Sequence, residues 1–153
     1  MKKKKSKKKI VIGAGIELND AYFQSIASRL YGDDPAIKTI ELAPNGVIQN
    51  VYPLKENEKV IGMNMLRERD RKQAATLAKD TKKYTLEGPY DLKQGGKGAL
   101  LYDPIYVNDE FWGFSILVID WDVFLDEIHL SDLEKASYDF VIWKEDHITK
   151  DKI

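Results

Sequence analysis

The sequence contains no cysteine and only two histidines among its 153 residues. Without cysteine the chain can form neither a disulfide nor a thiolate metal site, and it has no thiol nucleophile. His129 and His147 lie among charged residues in the C-terminal part, so a histidine-rich metal centre is not expected. No run of about 18 apolar residues occurs, which predicts that the chain itself does not span a membrane.

The first nine positions hold seven lysines, and acidic residues outnumber basic ones in the rest of the chain. Taking these seven from the 24 basic residues leaves 17 against 25 acidic ones, a net charge of -8 for the remainder. An acidic folded part argues against a nucleic-acid-binding groove, which needs basic side chains clustered on one face. The lysine run has three interpretations: a solvated tail, the basic leader of a membrane-targeting segment, or an electrostatic tether to acidic lipid or nucleic acid.

The apolar run from Ile10 to Ile16 follows the lysines directly. It fits a short anchor segment, or a dinucleotide-binding strand whose Gly13 and Gly15 would approach a pyrophosphate. Leu18 stands where that fingerprint needs its third glycine, and no repeated strand-helix-strand alternation follows. A nucleotide-binding enzyme fragment, with a parallel sheet starting at Lys9, is therefore the weakest functional hypothesis.

An amphipathic helix is predicted between Asn19 and Gly32, with Asn19 or Asp20 as its cap. Its apolar stripe consists of Phe23, Ile26, Ala27 and Leu30. Such a stripe packs on a core or forms a dimer seam.

A β-hairpin is predicted where Pro44-Asn45-Gly46 supplies the cleanest turn signal of the chain. Its strands would run from Ile37 to Ala43 and from Val47 to Tyr52. A short helix around Glu56 to Ile61 follows. A longer helix from Asp70 to Thr81 has a capping box of Asp70 with Gln73 and an apolar face of Ala74, Leu77 and Ala78.

Three further strands are predicted in the stretch from Tyr84 to Asp120. In the first, Tyr84 to Gln94, even spacing places Leu86, Tyr90 and Leu92 on one face. The second runs from Gly98 to Val107, and its Pro104 requires a bulge or an unpaired position. The third, Phe111 to Ile119, is almost entirely apolar, which predicts a central strand. The whole pattern predicts an α+β fold with one antiparallel sheet.

Many short motifs occur in the order found in one known family. They are Leu42 to Val47, Val51 to Leu54, Glu56 to Glu58, Gly62, Asp80-Thr81, Gly88 to Tyr90, Gln94 to Gly96, Pro104 to Tyr106, Phe111 to Phe114 and Val118 to Asp120. Together, over roughly Tyr22 to Leu125, they resemble the CHASE domain. That domain is the extracytoplasmic sensor region of bacterial histidine kinases and diguanylate cyclases and of the plant cytokinin receptors.

The resemblance implies a PAS-like fold, with a five-stranded antiparallel sheet and flanking helices that form a ligand pocket on one face. It divides the chain into a lysine-rich tail with a short apolar segment (1–16), the sensor domain (17–130), and a connector (131–153). In the connector, Tyr138 to Lys144 resembles the first strand of a second, truncated PAS-like unit.

The resemblance also implies positions that touch a ligand. In the cytokinin receptors an acidic residue holds the adenine group, and the matching residue here is Asn64. An amide both donates and accepts, whereas a carboxylate only accepts, so cytokinin itself is not expected. Leu86 and Gln94 match or lie near two other positions that contact ligand in those receptors.

The pocket walls are expected to be apolar with a few polar groups, as in most small-molecule sites. The candidate wall residues are Met63, Met65, Tyr90 and Tyr102. Glu87 is the candidate carboxylate for an amine, with a solvated strand residue as the alternative. Core packing is the alternative for the apolar candidates.

No nucleophile elbow, P-loop or metal-binding histidine pair occurs. The expected function is therefore non-enzymatic binding of an unknown small molecule, with no cofactor and no metal. By the resemblance, the full-length receptor would be a homodimer, its kinase or cyclase output would lie outside this chain, and membrane contact would come only through segments absent from it. The main alternative is a ligandless dimerisation and signal-transmission module.

Overall fold

The computed structural model describes residues 10–12, 16–92, 95–139, 141, 143–145 and 150–152. The described part begins with two short strands, β1 (Ile10–Ile12) and β2 (Ile16–Leu18), which pair antiparallel. The nucleotide-binding hypothesis required a parallel sheet starting at Lys9, and every strand pair in the described ranges is antiparallel. That hypothesis is therefore wrong.

One five-stranded antiparallel sheet organises the fold, as predicted. Its strands are β3 (Ile37–Pro44), β4 (Asn50–Tyr52), β5 (Thr85–Asp91), β6 (Lys97–Val107) and β7 (Glu110–Asp120). The spatial order is β4-β3-β7-β6-β5, so the most apolar strand is central. Pairing of β5 with β6 ends at Tyr102, and Pro104 thus lies in a part of β6 with one partner strand, which confirms the unpaired position.

Four helices flank this sheet in the described ranges. They are α1 (Asp20–Asp33), α2 (Lys72–Thr81), α3 (Trp121–Glu127) and α4 (Leu130–Lys135). A single 3-10 turn (Glu58–Val60) replaces the predicted short helix. None of these helices combines the length and the hydropathy of a membrane span.

A last pair of strands, β8 (Trp143–Glu145) and β9 (Lys150–Lys152), is antiparallel. Part of the segment predicted to open a second PAS-like unit lies outside the described residues, namely positions 140 and 142. That assignment stays a prediction.

Helix α1 begins as predicted, because the Asn19 side chain accepts a hydrogen bond of 2.8 Å from the Tyr22 N–H. It continues through Gly32 to Asp33, whereas the predicted helix ended before Gly32. Only Phe23 and Ala27 of its apolar stripe are buried, whereas Ile26 and Leu30 are exposed. The stripe is thus half core and half surface.

Helix α2 starts at Lys72, later than predicted, and its N-cap Arg71 makes no side-chain capping bond. The predicted capping box of Asp70 with Gln73 is therefore wrong. The buried face is Ala74, Ala75 and Ala78, while Leu77 is exposed. Alanine at the contact positions lets the helix lie close to the sheet, which the larger Leu77 would prevent.

The predicted hairpin exists, but its second strand is shorter than expected. Only Asn50–Tyr52 pairs with β3. Val47 bridges Asn64 instead, and the Ile48 N–H donates to the Met63 carbonyl at 2.9 Å. These contacts draw the chain after the turn away from β3 and toward the segment that crosses the sheet.

Alternation along β3 separates the two layers of the core. Ile40 and Leu42 pack with Phe23 and Ala27 of α1 on one side. On the other side, α2 and the segment 48–71 cover the sheet, and a larger apolar cluster fills the space. We call this second side the cavity face; its β3 residues are Thr39, Glu41 and Ala43, and its other residues include Leu100, Tyr102, Phe114, Ile116 and Val118.

Candidate functional site

Two rows of neighbouring residues cross the cavity face. In the first row, Glu41 pairs with Ile116, which pairs with Tyr102. A second row runs from Thr39 through Val118 and Leu100 to Glu87 on β5. Acidic residues therefore stand at both sides of an apolar floor built by the central strands.

The segment after the hairpin turn lies over this floor. The Met65 N–H donates to the Gly46 carbonyl at 2.8 Å, which fixes the segment relative to the turn. Met65 is fully buried and its Sδ lies 3.8 Å from the Tyr102 hydroxyl. The flexible thioether thus closes the roof against the aromatic floor.

A cavity of about 160 Å³ remains between roof and floor. Apolar and charged side chains both line it: Glu41, Ile48, Val60, Met63, Met65, Glu68, Asp70, Arg71, Asp91, Leu92, Leu100 and Val118. A shallower groove adjoins it, since Asp70, Arg71 and Asp91 also line that groove together with Glu87 and Tyr90. No group of acidic or histidine side chains in the described ranges is arranged to hold a metal ion.

Glu41 is the most deeply buried charged residue of the cavity wall, with 2% of its surface exposed. Its Oε1 accepts a hydrogen bond of 2.9 Å from the Thr39 hydroxyl. Burial raises the pKa of the Glu41 carboxyl from its ordinary 4.5 to about 7, although Thr39 and Arg71 both oppose the shift. Burial thus favours the protonated form of Glu41.

Arg71 also lines the cavity, and it is the residue that precedes α2. Its guanidinium carbon lies 4.0 Å from the centre of the Tyr90 ring, a cation-π contact. Its Nη1 is buried and has no hydrogen-bond acceptor among the described residues. Burial, and then the neighbouring Glu87 carboxylate, raise the pKa of the Tyr90 hydroxyl, which stays neutral beneath the guanidinium.

A register shift in β5 decides which of its residues face the site. The shift lies between Glu87 and Tyr90. Glu87 is 7% exposed and Tyr90 packs on the cavity-face cluster, whereas Leu86 is 48% exposed. The even-number prediction that Leu86 and Tyr90 share a face is wrong, because the irregular register between them breaks the alternation.

A sequence model of the CHASE domain matches residues 19–152. The chain belongs to the CHASE domain family. CHASE domains are sensor domains, and this chain is an extracytoplasmic part of a membrane receptor. A comparison with curated protein sequences found no match.

Two solved structures resemble this CHASE domain. One is an extracellular ligand binding receptor from Desulfohalobium retbaense DSM5692, with a TM-score of 0.54, 13% identity, and coverage of 83% of this chain and 29% of that one. The other is the extracellular domain of the candidate histidine kinase mmHK1S-Z2, with a TM-score of 0.49, 17% identity, and coverage of 72% and 48%. The chain thus spans less than half of either structure, and the first similarity supports the PAS-like fold.

The positions predicted from the CHASE resemblance are only partly brought together. Met63 and Met65 line the cavity, and Tyr102 contacts Met65. Glu87 and Tyr90 line the adjoining groove. The Asn64 Oδ1 accepts a hydrogen bond of 3.0 Å from the Leu66 N–H, which is a local turn.

Two predicted residues are not placed in this site. Leu86 is exposed at the edge strand, and Gln94 lies outside the described residues. Ligand contacts of all eight positions stay predictions.

Sequence reasoning missed most of the cavity lining, including its buried acid Glu41 and its basic residue Arg71. Glu41 is buried like Glu87, and the burial of Glu87 argues against the alternative that it is a solvated strand residue. The sequence does carry a signal for the burial of Glu41. It is the charged residue in the otherwise apolar run Ile40 to Ala43, and it lies two residues from the buried Thr39, so both side chains are on the same face of the strand. Arg71 lies in the charged run from Arg67 to Lys72, which carries no such signal.

Proposed function

We propose that this CHASE domain binds a small molecule in the cavity and acts as the sensor of a membrane-bound receptor. The output domain of that receptor, a histidine kinase or a diguanylate cyclase, would lie outside this chain. The division into a tail (1–16), a sensor domain (17–130) and a connector with the start of a second unit (131–153) belongs to the same proposal.

A partly open cavity on the face of the sheet is the observation that supports binding. Protein interiors leave few voids larger than a water molecule, yet about 160 Å³ stays open here. That is the volume of about five waters. Apolar walls with a few fixed polar groups, here Glu41 and Arg71, are typical of small-molecule sites.

The test is a thermal-shift screen of the purified chain against amino acids, purines, organic acids and short peptides. A ligand that binds only the folded state adds about 2.7 kcal/mol at a hundredfold excess over its dissociation constant. For a chain of this size the midpoint should rise by about 8 °C. Met63→Trp places a larger side chain at the cavity wall. At least tenfold more ligand should then be needed to produce the same rise in the unfolding midpoint.

Leu133→Ala is the matched control, because Leu133 is exposed on α4 and lies outside the cavity wall. It should leave the ligand-induced shift unchanged. A ligand whose effect survives Met63→Trp and disappears in Leu133→Ala would show that binding occurs elsewhere. A screen without any hit would count against ligand binding by this domain.

A dimerisation and signal-transmission module is the second candidate function. Its support is the exposed outer stripe of α1, where Tyr22, Ile26 and Leu30 recur every four residues. Such a stripe is the geometry by which two helices associate. A dimer would bury apolar area that the isolated chain leaves in water.

Sedimentation equilibrium tests this alternative at protein concentrations from about 10 to 300 µM. This range detects dimers with dissociation constants in the micromolar range. The wild type should form dimers, and the double variant Ile26→Glu with Leu30→Glu should be monomeric. Leu133→Glu is the control, since Leu133 is also exposed but lies in α4 rather than in α1. A monomeric wild type throughout this range would rule out self-association through α1.

A further inference from the structure

The charges around the cavity are unevenly distributed. Four acidic side chains, those of Glu41, Glu68, Asp70 and Asp91, line it, against Arg71 as the one basic side chain in the described lining. The adjoining groove adds Glu87 on one side and Arg69 on the other. A lining of this sign attracts a cation and repels a simple anion.

Glu41 is the acidic lining residue that indicates which kind of cation the cavity would bind. Its carboxyl is fixed by Thr39 and is almost wholly removed from solvent. A buried carboxylate is unfavourable unless a positive charge or hydrogen-bond donors surround it. An ammonium group in the cavity would supply both, because it carries a charge and three donors.

Arg71 has a donor available for a group of opposite sign. Its buried Nη1 lacks an acceptor in the described part of the chain, and an unsatisfied buried donor is destabilising. The stacking contact with Tyr90 fixes the plane of the guanidinium. A carboxylate is the acceptor whose shape matches that planar donor group.

We propose, on the basis of the sensor function above, that the cavity takes a small zwitterion. Its ammonium group is bound on the side of Glu41, and its carboxylate is bound by Arg71. The free volume limits the occupant to a compact molecule, and the apolar residues Ile48, Val60 and Met63 contact its side chain. The ligand class is thus the free α-amino acids with small or medium apolar side chains.

Matched probes test the two charges separately. L-Valine carries both groups, isobutylamine has only the ammonium, 3-methylbutanoate has only the carboxylate, and 3-methylbutanamide has neither charge. The same design extends to the alanine, leucine, isoleucine and methionine series. Titration calorimetry on the full chain should show binding by at least one amino acid, at least tenfold tighter than by its amine and hundredfold tighter than by its carboxylate or amide.

Two variants assign the charges to residues. Glu41→Gln should weaken the amino acid at least tenfold but leave the carboxylate probe unchanged. Arg71→Gln should weaken the amino acid similarly but leave the amine probe unchanged. Glu127→Gln and Arg29→Gln are the controls, because both residues are exposed and lie outside the cavity wall.

The outcomes separate this inference from the sensor function. If an amine, carboxylate or amide binds as tightly as its parent amino acid, the zwitterion inference is wrong while the cavity remains a ligand site. If no amino acid binds but a purine or an organic acid does in the thermal-shift screen, the inference is equally overturned. If no compound of either set binds, the proposed function fails together with it.

Discussion

Gly113→Ala is expected to lower the free energy of unfolding by about 4 kcal/mol, as the sum of overpacking and backbone strain. Gly113 lies in the central strand β7, between Pro44 of β3 and Ile105 of β6. A Cβ at this position would lie 2.3 Å from the Ala43 carbonyl oxygen, and the backbone φ is +156°. Neither neighbour can move away without breaking the ladder.

Two glycine variants provide the controls for this measurement. Gly62 has a φ of +87° in open space, so Gly62→Ala should cost about 1 kcal/mol from strain alone. Gly32 lies in α1 without a close neighbour, and Gly32→Ala should stabilise by up to about 1 kcal/mol. Urea unfolding of the three variants gives the comparison. Equal losses for Gly113→Ala and Gly62→Ala would show that β7 and β3 do not approach closely at this point.

Glu41 is expected to make the protein less stable as pH rises from about 4.5 to about 7. The folded-state pKa of about 7 lies above the ordinary value of 4.5, because burial opposes ionisation. Between these values the folded state holds a proton that the unfolded state has lost, so stability decreases as pH increases. The whole contribution is about 3 kcal/mol, present in full below pH 4.5 and lost above pH 7.

Glu41→Gln isolates this contribution from those of the other acidic groups. Urea unfolding between pH 4 and pH 8, with the variant subtracted from the wild type, should show a difference that changes by about 3 kcal/mol across the window. The wild type should lose stability relative to the variant as the pH increases. Glu127→Gln, at an exposed position, should run parallel to the wild type. A pH-independent difference for Glu41→Gln would mean that its carboxyl titrates normally.

The sheet could be predicted from the sequence because local signals and tertiary structure agree there. The unbroken apolar run of β7 required burial on both faces, and the central position is the place in a sheet that provides it. The turn at Asn45 and Gly46 required positive φ, which both residues adopt. These are properties of a few neighbouring residues, so they are visible in one sequence.

The cavity could not be predicted in the same way, because its residues are assembled by contacts between distant segments. Arg71 faces the site because α2 begins only at Lys72, and no local pattern indicated that start. Glu87 joins Tyr90 through a register shift that alternation cannot anticipate. Glu41 is covered by the segment 48–71, of which the hairpin prediction had assigned only the part up to Tyr52 to a strand; the contacts of that part with Met63 and Asn64 were not predicted.

Strand β3 is in contact with both layers through adjacent residues. Glu41 lines the cavity, while Ile40 and Leu42 on either side of it pack against Phe23 and Ala27 of α1. Only one strand backbone separates the binding space from the N-terminal helix. An occupant that displaced β3 would therefore also displace the strand surface on which α1 packs.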